Sequence, residues 1–361
     1  MSKWLLWLFL PGLILTACQP GGDELPPILY LGRDENDRNQ IYRVTTMKEP
    51  QALTSDAAGV YDFAIAPDGK QIVYTVLSDY GDSEIWMLGS NGRNLRKILD
   101  CPQAECANLV WSPDNQKIIY EKRILISDGI SGAASLWWLD SESGETLPVL
   151  EDELAHGSGA RFSPDGQWLG YVAPEDDGVY VYHLEDGRFN FFPDEIGMPI
   201  SWHPDSNQFV VGNLDVAIIH GEEGEAHETH THDYETAVYL SVADPETGDI
   251  NLISPSMVVD DGTPAWSPDG EWIAFGRKKP QTASGRQLWL MRPDGSDAHA
   301  LTDDLLVNYG PPDWSPDGKV LLFQRFELND PTAVPSIWLL EIATGSMREI
   351  APNGMLPAWQ K

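Results

Sequence analysis

Six stretches of the chain share one order of apolar and polar positions: an apolar strand, a polar turn and a second apolar strand. They are Phe63 to Tyr74 (FAIAPDGKQIVY), Leu109 to Tyr120 (LVWSPDNQKIIY), Ala160 to Tyr171 (ARFSPDGQWLGY), Ile200 to Val211 (ISWHPDSNQFVV), Pro264 to Phe275 (PAWSPDGEWIAF) and Pro312 to Phe323 (PDWSPDGKVLLF). The turn has a reason at each position. Pro presets φ for the first corner, Asp tolerates and hydrogen-bonds the second, and Gly supplies the left-handed residue that closes a hairpin with a bulge. Asp68, Asp165, Asp269 and Asp317 are therefore read as turn residues and not as catalytic carboxylates. Asn115, Ser206 and Asn207 stand where Gly or its neighbour is expected, which predicts two less regular hairpins.

Each hairpin is followed by a third strand built on an aliphatic and aromatic pair: Ile85-Trp86, Leu136-Trp137, Val179-Tyr180, Val238-Tyr239, Leu288-Trp289 and Ile337-Trp338. A seventh such pair, Ile41-Tyr42, precedes the first hairpin. A Gly-containing turn and a short strand ending in forms such as Ala52-Leu53-Thr54 or Ala300-Leu301-Thr302 complete the repeat. Four antiparallel strands per repeat predict one propeller blade each. The chain begins this register at Ile28, already in second-strand phase, and closes with Pro357-Ala358-Trp359, a first strand whose Trp359 aligns with Trp111, Trp202, Trp266 and Trp314. The prediction is all-β: a seven-bladed β-propeller over residues 28–361, at about 48 residues per blade, with the C-terminal strand joining the N-terminal blade. Ring closure hides sheet edges that would otherwise invite aggregation.

The recurrent WSPDG hairpin, the following Ile-Trp strand and the Leu-Thr ending resemble the TolB-type (WD40-like) β-propeller repeat across essentially the whole chain after the tether. That resemblance implies fold more than function, because propellers of this type serve as partner-binding modules, as gating domains of oligopeptidases and in some carbohydrate-active enzymes. The oligopeptidase reading lacks support: no G-x-S-x-G elbow occurs, Gly129-Ile130-Ser131-Gly132 having the wrong spacing, and no hydrolase domain is expected after Trp359.

Ahead of the repeats, Lys3 precedes an apolar run from Trp4 to Ala17 that is short for a membrane span and ends in Leu15-Thr16-Ala17-Cys18. This ending resembles the lipobox of bacterial lipoproteins and implies a signal peptide over residues 1–17 and lipidation of Cys18. Residues 18–27, rich in Gly and Pro, read as a flexible tether. The expected location is the cell envelope, lipid-anchored on the outer side of the cytoplasmic membrane or in the outer membrane. Outside the reducing cytosol, the remaining pair Cys101 and Cys106 is expected to form a local disulfide. The 56 acidic and 23 basic residues give a formal charge of −33, which disfavours nucleic acid and anionic lipid as partners and suits a monomer.

With the first strand of each blade innermost, one face carries the loops between second and third strands and between successive blades. That face gathers the irregular segments, residues 122–135, 277–286, 325–335 and 101–106, and is the expected binding face. The longest insertion lies in the fifth blade and holds His220, His227, His230 and His232 among acidic residues. His230 and His232 share one face of an extended strand, and with His227 they are candidate ligands for a divalent metal such as Zn²⁺, Mn²⁺ or Ca²⁺. Arg277, Lys278, Lys279 and Arg286 form a basic hairpin, and Trp138, Trp168 and Trp272 fall outside the core phase of the repeat, so exposure is expected there. No catalytic residue and no organic cofactor are expected. The expected function is binding or scaffolding of a protein, peptide or glycan at the loop-rich face. The alternative is a metal-dependent, lyase-like carbohydrate-active enzyme that uses the His cluster, for which His156, His203 and His232 would have to meet at the channel mouth.

Overall fold

The computed structural model describes residues 25–45, 48–78, 81–127, 130–150, 156–219, 233–255, 257–330 and 332–360. These residues form seven antiparallel sheets and, among them, no helix. The first blade combines the two ends of the described chain: Gly354–Trp359 lies innermost and pairs with Ile28–Arg33, followed outward by Asn39–Thr45 and Lys48–Ala52. Blades two to seven follow in chain order, starting at Asp62, Ala104, Ser158, Ser201, Asp260 and Val307. In the seventh blade the innermost strand is split into Val307–Tyr309 and Asp313–Trp314, flanking Pro311 and Pro312, which have no N–H to give a ladder.

Burial explains why the second strands read as continuous apolar runs. Ile28 to Gly32 are buried at every position, whereas Lys48–Ala52 is exposed throughout. A second strand packs on a neighbouring blade on both sides; the outermost strand faces water. Seven apolar clusters result, one at each interface between neighbouring blades. The first and second blades join through Leu29, Leu31, Ile72 and Tyr74, and the seventh and first through Leu322, Ile337, Ile28 and Trp359. Each such aliphatic or aromatic side chain contributes roughly 1.5–3 kcal/mol by leaving water. Burial also pushes the Tyr120 and Tyr171 phenols up to about 12, so both stay neutral.

The hairpin turns are alike in all six blades that contain one. Asn115 and Ser206 adopt φ of 62° each, matching Gly69, Gly166, Gly270 and Gly318 at 68–73°. They close the turn with the same backbone bond, Asn115 N–H to Ser112 O and Ser206 N–H to His203 O. The expected irregularity is therefore absent. Asn adopts the left-handed region readily, and both side chains work laterally: Asn115 Oδ1 accepts from Asp68 N–H, and Ser206 Oγ accepts from Asp165 N–H, each in a neighbouring turn. Trp168 is also a correction, being buried and edge-on to His183. Trp138 and Trp272 are half-buried under Lys117 and Arg292.

Candidate functional site

All seven innermost strands run in the same direction around a central channel. Each starts at the face where the chain enters from the previous blade and ends at the face that carries the SPDG turns. The two ends of the channel are therefore built from different parts of the repeat.

At the turn end the construction is uniform. Ser112, Ser163, Ser267 and Ser315 each donate their hydroxyl to the Asp two residues on, at 2.5–2.6 Å. The same hydroxyls accept the backbone N–H five residues on. Hydrogen bonds from Ser112, Ser267 and Ser315 hold the Asp114, Asp269 and Asp317 carboxyls below the usual range. Indole N–H groups link the blades: Trp111 donates to Ala64 O, Trp202 to Arg161 O, Trp314 to Ala265 O and Trp359 to Asp313 O. Trp266 Nε1 has no such partner among the described residues, and the His203 ring lies edge-on at 4.6 Å from it.

At the entry end the construction varies from blade to blade. Four innermost strands carry a β-bulge three residues before the Trp or Phe of the repeat, centred on Asn108, Gly159, Thr263 and Leu356, all with φ between 50° and 62°. Thr and Leu are strained in that region, Thr most because it is β-branched. Each bulge N–H finds its own acceptor: Asp62 for Asn108, Glu121 for Gly159, Met198 Sδ for Thr263 and Gln324 for Leu356. Glu121 and Gln324 occupy the same position of their repeats, directly after Tyr120 and Phe323. Bulges of this kind bend a strand and re-aim side chains.

Three of these bulges, at Asn108, Gly159 and Leu356, border a cavity of about 530 Å³ at the entry end, lined by residues from four blades and the segment leading into the fifth, among them Asp62, Asn108, Glu121, Arg123, Arg161 and Leu356. Glu121 is buried and saturated: Gly159 N–H at 2.8 Å, Asn108 Nδ2 at 2.9 Å and Arg123 at 2.6 Å. Burial pushes the Asp62 carboxyl up, against the N–H groups of Asn108 and Leu109 that it accepts. Arg161 is exposed to the channel, donates only to the Ala160 carbonyl, and forms no ion pair among the described residues. Surrounding protein lowers its pKa, with Glu121 opposing. A second cavity, of about 440 Å³, shares the Arg161 wall and is otherwise lined by residues including Pro199, Pro264, Pro311 and Pro312.

The remaining sequence expectations sort as follows. Cys101 and Cys106 are bonded and join the outer strand of the second blade to the inner strand of the third. Three members of the basic hairpin pair within the protein: Arg277 forms a two-pronged pair with Asp261, while Lys278 and Arg286 both reach Asp260; Lys279 is exposed. His156 lies ahead of the inner strand of the fourth blade, against Glu175, whereas His203 follows the inner strand of the fifth blade and accepts Asp205 N–H at the turn end. These two histidines thus sit at opposite ends of the channel. His220, His227, His230, His232 and Cys18 lie outside the described residues. The insertion that holds the four histidines joins two strands, Phe209–Ile219 and Asp233–Ala243, paired over their full length. Among the described residues no group of three His, Cys, Asp or Glu side chains could hold a metal, and no helix is long and apolar enough to cross a membrane.

Sequence reasoning missed Arg161 and the bulges. Aligned on the hairpin, the position of Arg161 is Ala64, Val110, Ser201, Ala265, Asp313 and Ala358 in the other repeats. Comparing the repeats column by column would have singled out a lone cation there. The bulges at Thr263 and Leu356 leave no such mark, since neither residue type favours positive φ.

The fold places the chain among seven-bladed β-propellers. No family model matches it. Atu1656, an uncharacterized protein of Agrobacterium fabrum, is 24% identical over 272 residues, covering 68% of this chain and 80% of that protein. The uncharacterized peptidase YuxL of Bacillus subtilis is 23% identical over 198 residues, 48% of this chain but only 29% of its own length. Among solved structures, one of two prolyl endopeptidases superposes with a TM-score of 0.63 at 12% identity, over 93% of this chain and 50% of that one. An oligogalacturonate lyase in complex with manganese gives 0.52 at 19%, over 78% and 73%. TolB of Acinetobacter baumannii gives 0.48 at 18%, over 75% and 62%. At these identities the likeness is one of fold.

Proposed function

We propose that this chain is a lipid-anchored, extracytoplasmic binding module that receives a protein, peptide or glycan segment at the entry end of its channel and performs no chemistry of its own. The observation that carries this reading is the construction of the cavity: it is open, lined by four blades and the segment leading into the fifth, and Glu121 and Asp62 each accept the N–H of a bulge on its wall. Glu121 holds a bulge exactly where Gln324 holds another, so its charge is not required for that task, and Asp62 accepts two backbone N–H groups. Glu121, holding three donors, is not placed as a free general base. The lipobox-like Leu15-Thr16-Ala17-Cys18 supports anchoring at a membrane surface.

The test is photo-crosslinking in cells with a benzoyl-phenylalanine placed at Leu356 or Ile126 on the entry side, or at Asn91 or Glu142 on the turn side. All four positions are exposed. The binding reading expects one discrete product from the entry positions and none from the turn positions. Equal labelling from both ends, or none from either, would refute it. Replacing Cys18 with Ala should release the protein from the membrane fraction; retention there would refute the anchor.

A further inference from the structure

The entry cavity contains a cation, Arg161, that forms no ion pair among the described residues. Arg161 is reached from the lumen, and the hydrogen bond its guanidinium makes among those residues goes to the carbonyl of the residue before it. The nearby carboxylate of Glu121 already serves Gly159, Asn108 and Arg123. On a chain of formal charge −33, a surplus cation inside a channel is the reverse of the surface pattern. Arg161 also stands on the wall shared by the two cavities. In the second cavity Pro199, Pro264, Pro311 and Pro312 offer no N–H, and Arg161 is the one charged residue among those that line it, beside the hydroxyls of Ser201 and Thr263.

We propose that Arg161 anchors the free C-terminal carboxylate of a peptide whose chain leads out through the entry mouth. This rests on the binding reading above and names the ligand class. A planar guanidinium matches a carboxylate with two parallel, charge-assisted hydrogen bonds. The surrounding negative charge repels polyanions, which restricts the ligand to one carboxylate on a neutral or basic chain.

The probes are two libraries of acetylated hexapeptides that differ only in ending as a free carboxylate or as an amide, passed over the immobilised full-length chain. Retention of the carboxylate library alone is expected. Arg161→Gln should weaken it by about tenfold or more, as loss of a charge-assisted hydrogen bond implies. This variant should fold, because Ala, Val or Ser fills the same position in five other blades. Glu121→Gln should keep the bulge, as Gln324 does, and strengthen retention by freeing Arg123. Equal retention of both libraries, or no effect of Arg161→Gln, overturns the carboxylate assignment and leaves the binding reading intact. Retention of neither library overturns the peptide assignment, and the crosslinking experiment then decides the binding reading separately. An oligouronate that is retained while the peptides are not also overturns the assignment to a peptide.

Discussion

The two ends of the channel are made from the same seven strands but on opposite plans. At the turn end, one Ser-Asp arrangement repeats four times with nearly equal distances, and the indole links follow the same ring. At the entry end, four bulges use four different kinds of acceptor, namely an aspartate, a glutamate, a thioether and an amide. Uniformity indicates a task common to all blades, which is closing hairpins and joining neighbours. Individuality makes the entry end differ by direction around the ring, which is what the proposed recognition of an asymmetric ligand would use.

The comparison is broken most severely by removing an interblade Trp. Trp314→Ala should destabilise by about 3–5 kcal/mol in urea unfolding, since the side chain is buried and its indole is bonded to the preceding blade. Trp314→Phe should cost about 1 kcal/mol through the lost bond, whereas Trp266→Phe should be close to neutral because that indole N–H has no partner to lose. Next in size, Ser163→Ala, Ser267→Ala and Ser315→Ala should each cost roughly 0.5–1.5 kcal/mol. If these three costs diverge widely, the turn end is not the interchangeable structure described here. Thr263→Gly should change stability in the opposite direction, raising it by roughly 0.5–1 kcal/mol through relief of positive φ. A loss of stability there would mean that the Thr263 side chain itself supports the fold.

The smallest effect concerns pH. Burial lowers the His203 pKa, with Asp205 opposing, and Nδ1 accepts Asp205 N–H, so the folded state favours the neutral ring. The unfolded chain binds the proton more readily. Stability is therefore highest above the ordinary His pKa of about 6.5 and falls as pH drops through that value toward the lower folded one. His203→Ser, which places there the Ser found in four of the other turns, should remove that part of the pH dependence. Melting curves at pH 5 and pH 8 measure it, and an unaltered difference between the two would contradict the assignment.

The turn end was legible in the sequence because Pro, Asp and Gly are local instructions: each sets its own φ or bonds its own backbone, so the SPDG columns predicted hairpins, blade count and the closing role of Trp359. The entry end was not. Its bulges arise from how one blade meets the next, and Thr263 and Leu356 carry no local preference for the backbone they adopt. Even at the turns, Asn115 and Ser206 were expected to disturb what they instead reinforce, because their bonds run to a neighbouring blade. Arg161 falls between these cases. Its position is readable by aligning the repeats, but that it forms no ion pair among the described residues is a matter of three-dimensional neighbours.

The pairing of Ile28–Arg33 with Gly354–Trp359 also bears on how the protein is made. Ribosomal synthesis delivers the first of these strands roughly three hundred residues before its partner, so ring closure joins segments far apart in sequence and must be a late event. Until then a largely apolar strand has an open inner edge, which is the state most exposed to mispairing with a second nascent chain. A circular permutant reopened between two other blades, with the native ends fused, would make that contact local and should assemble faster while keeping the same final ring.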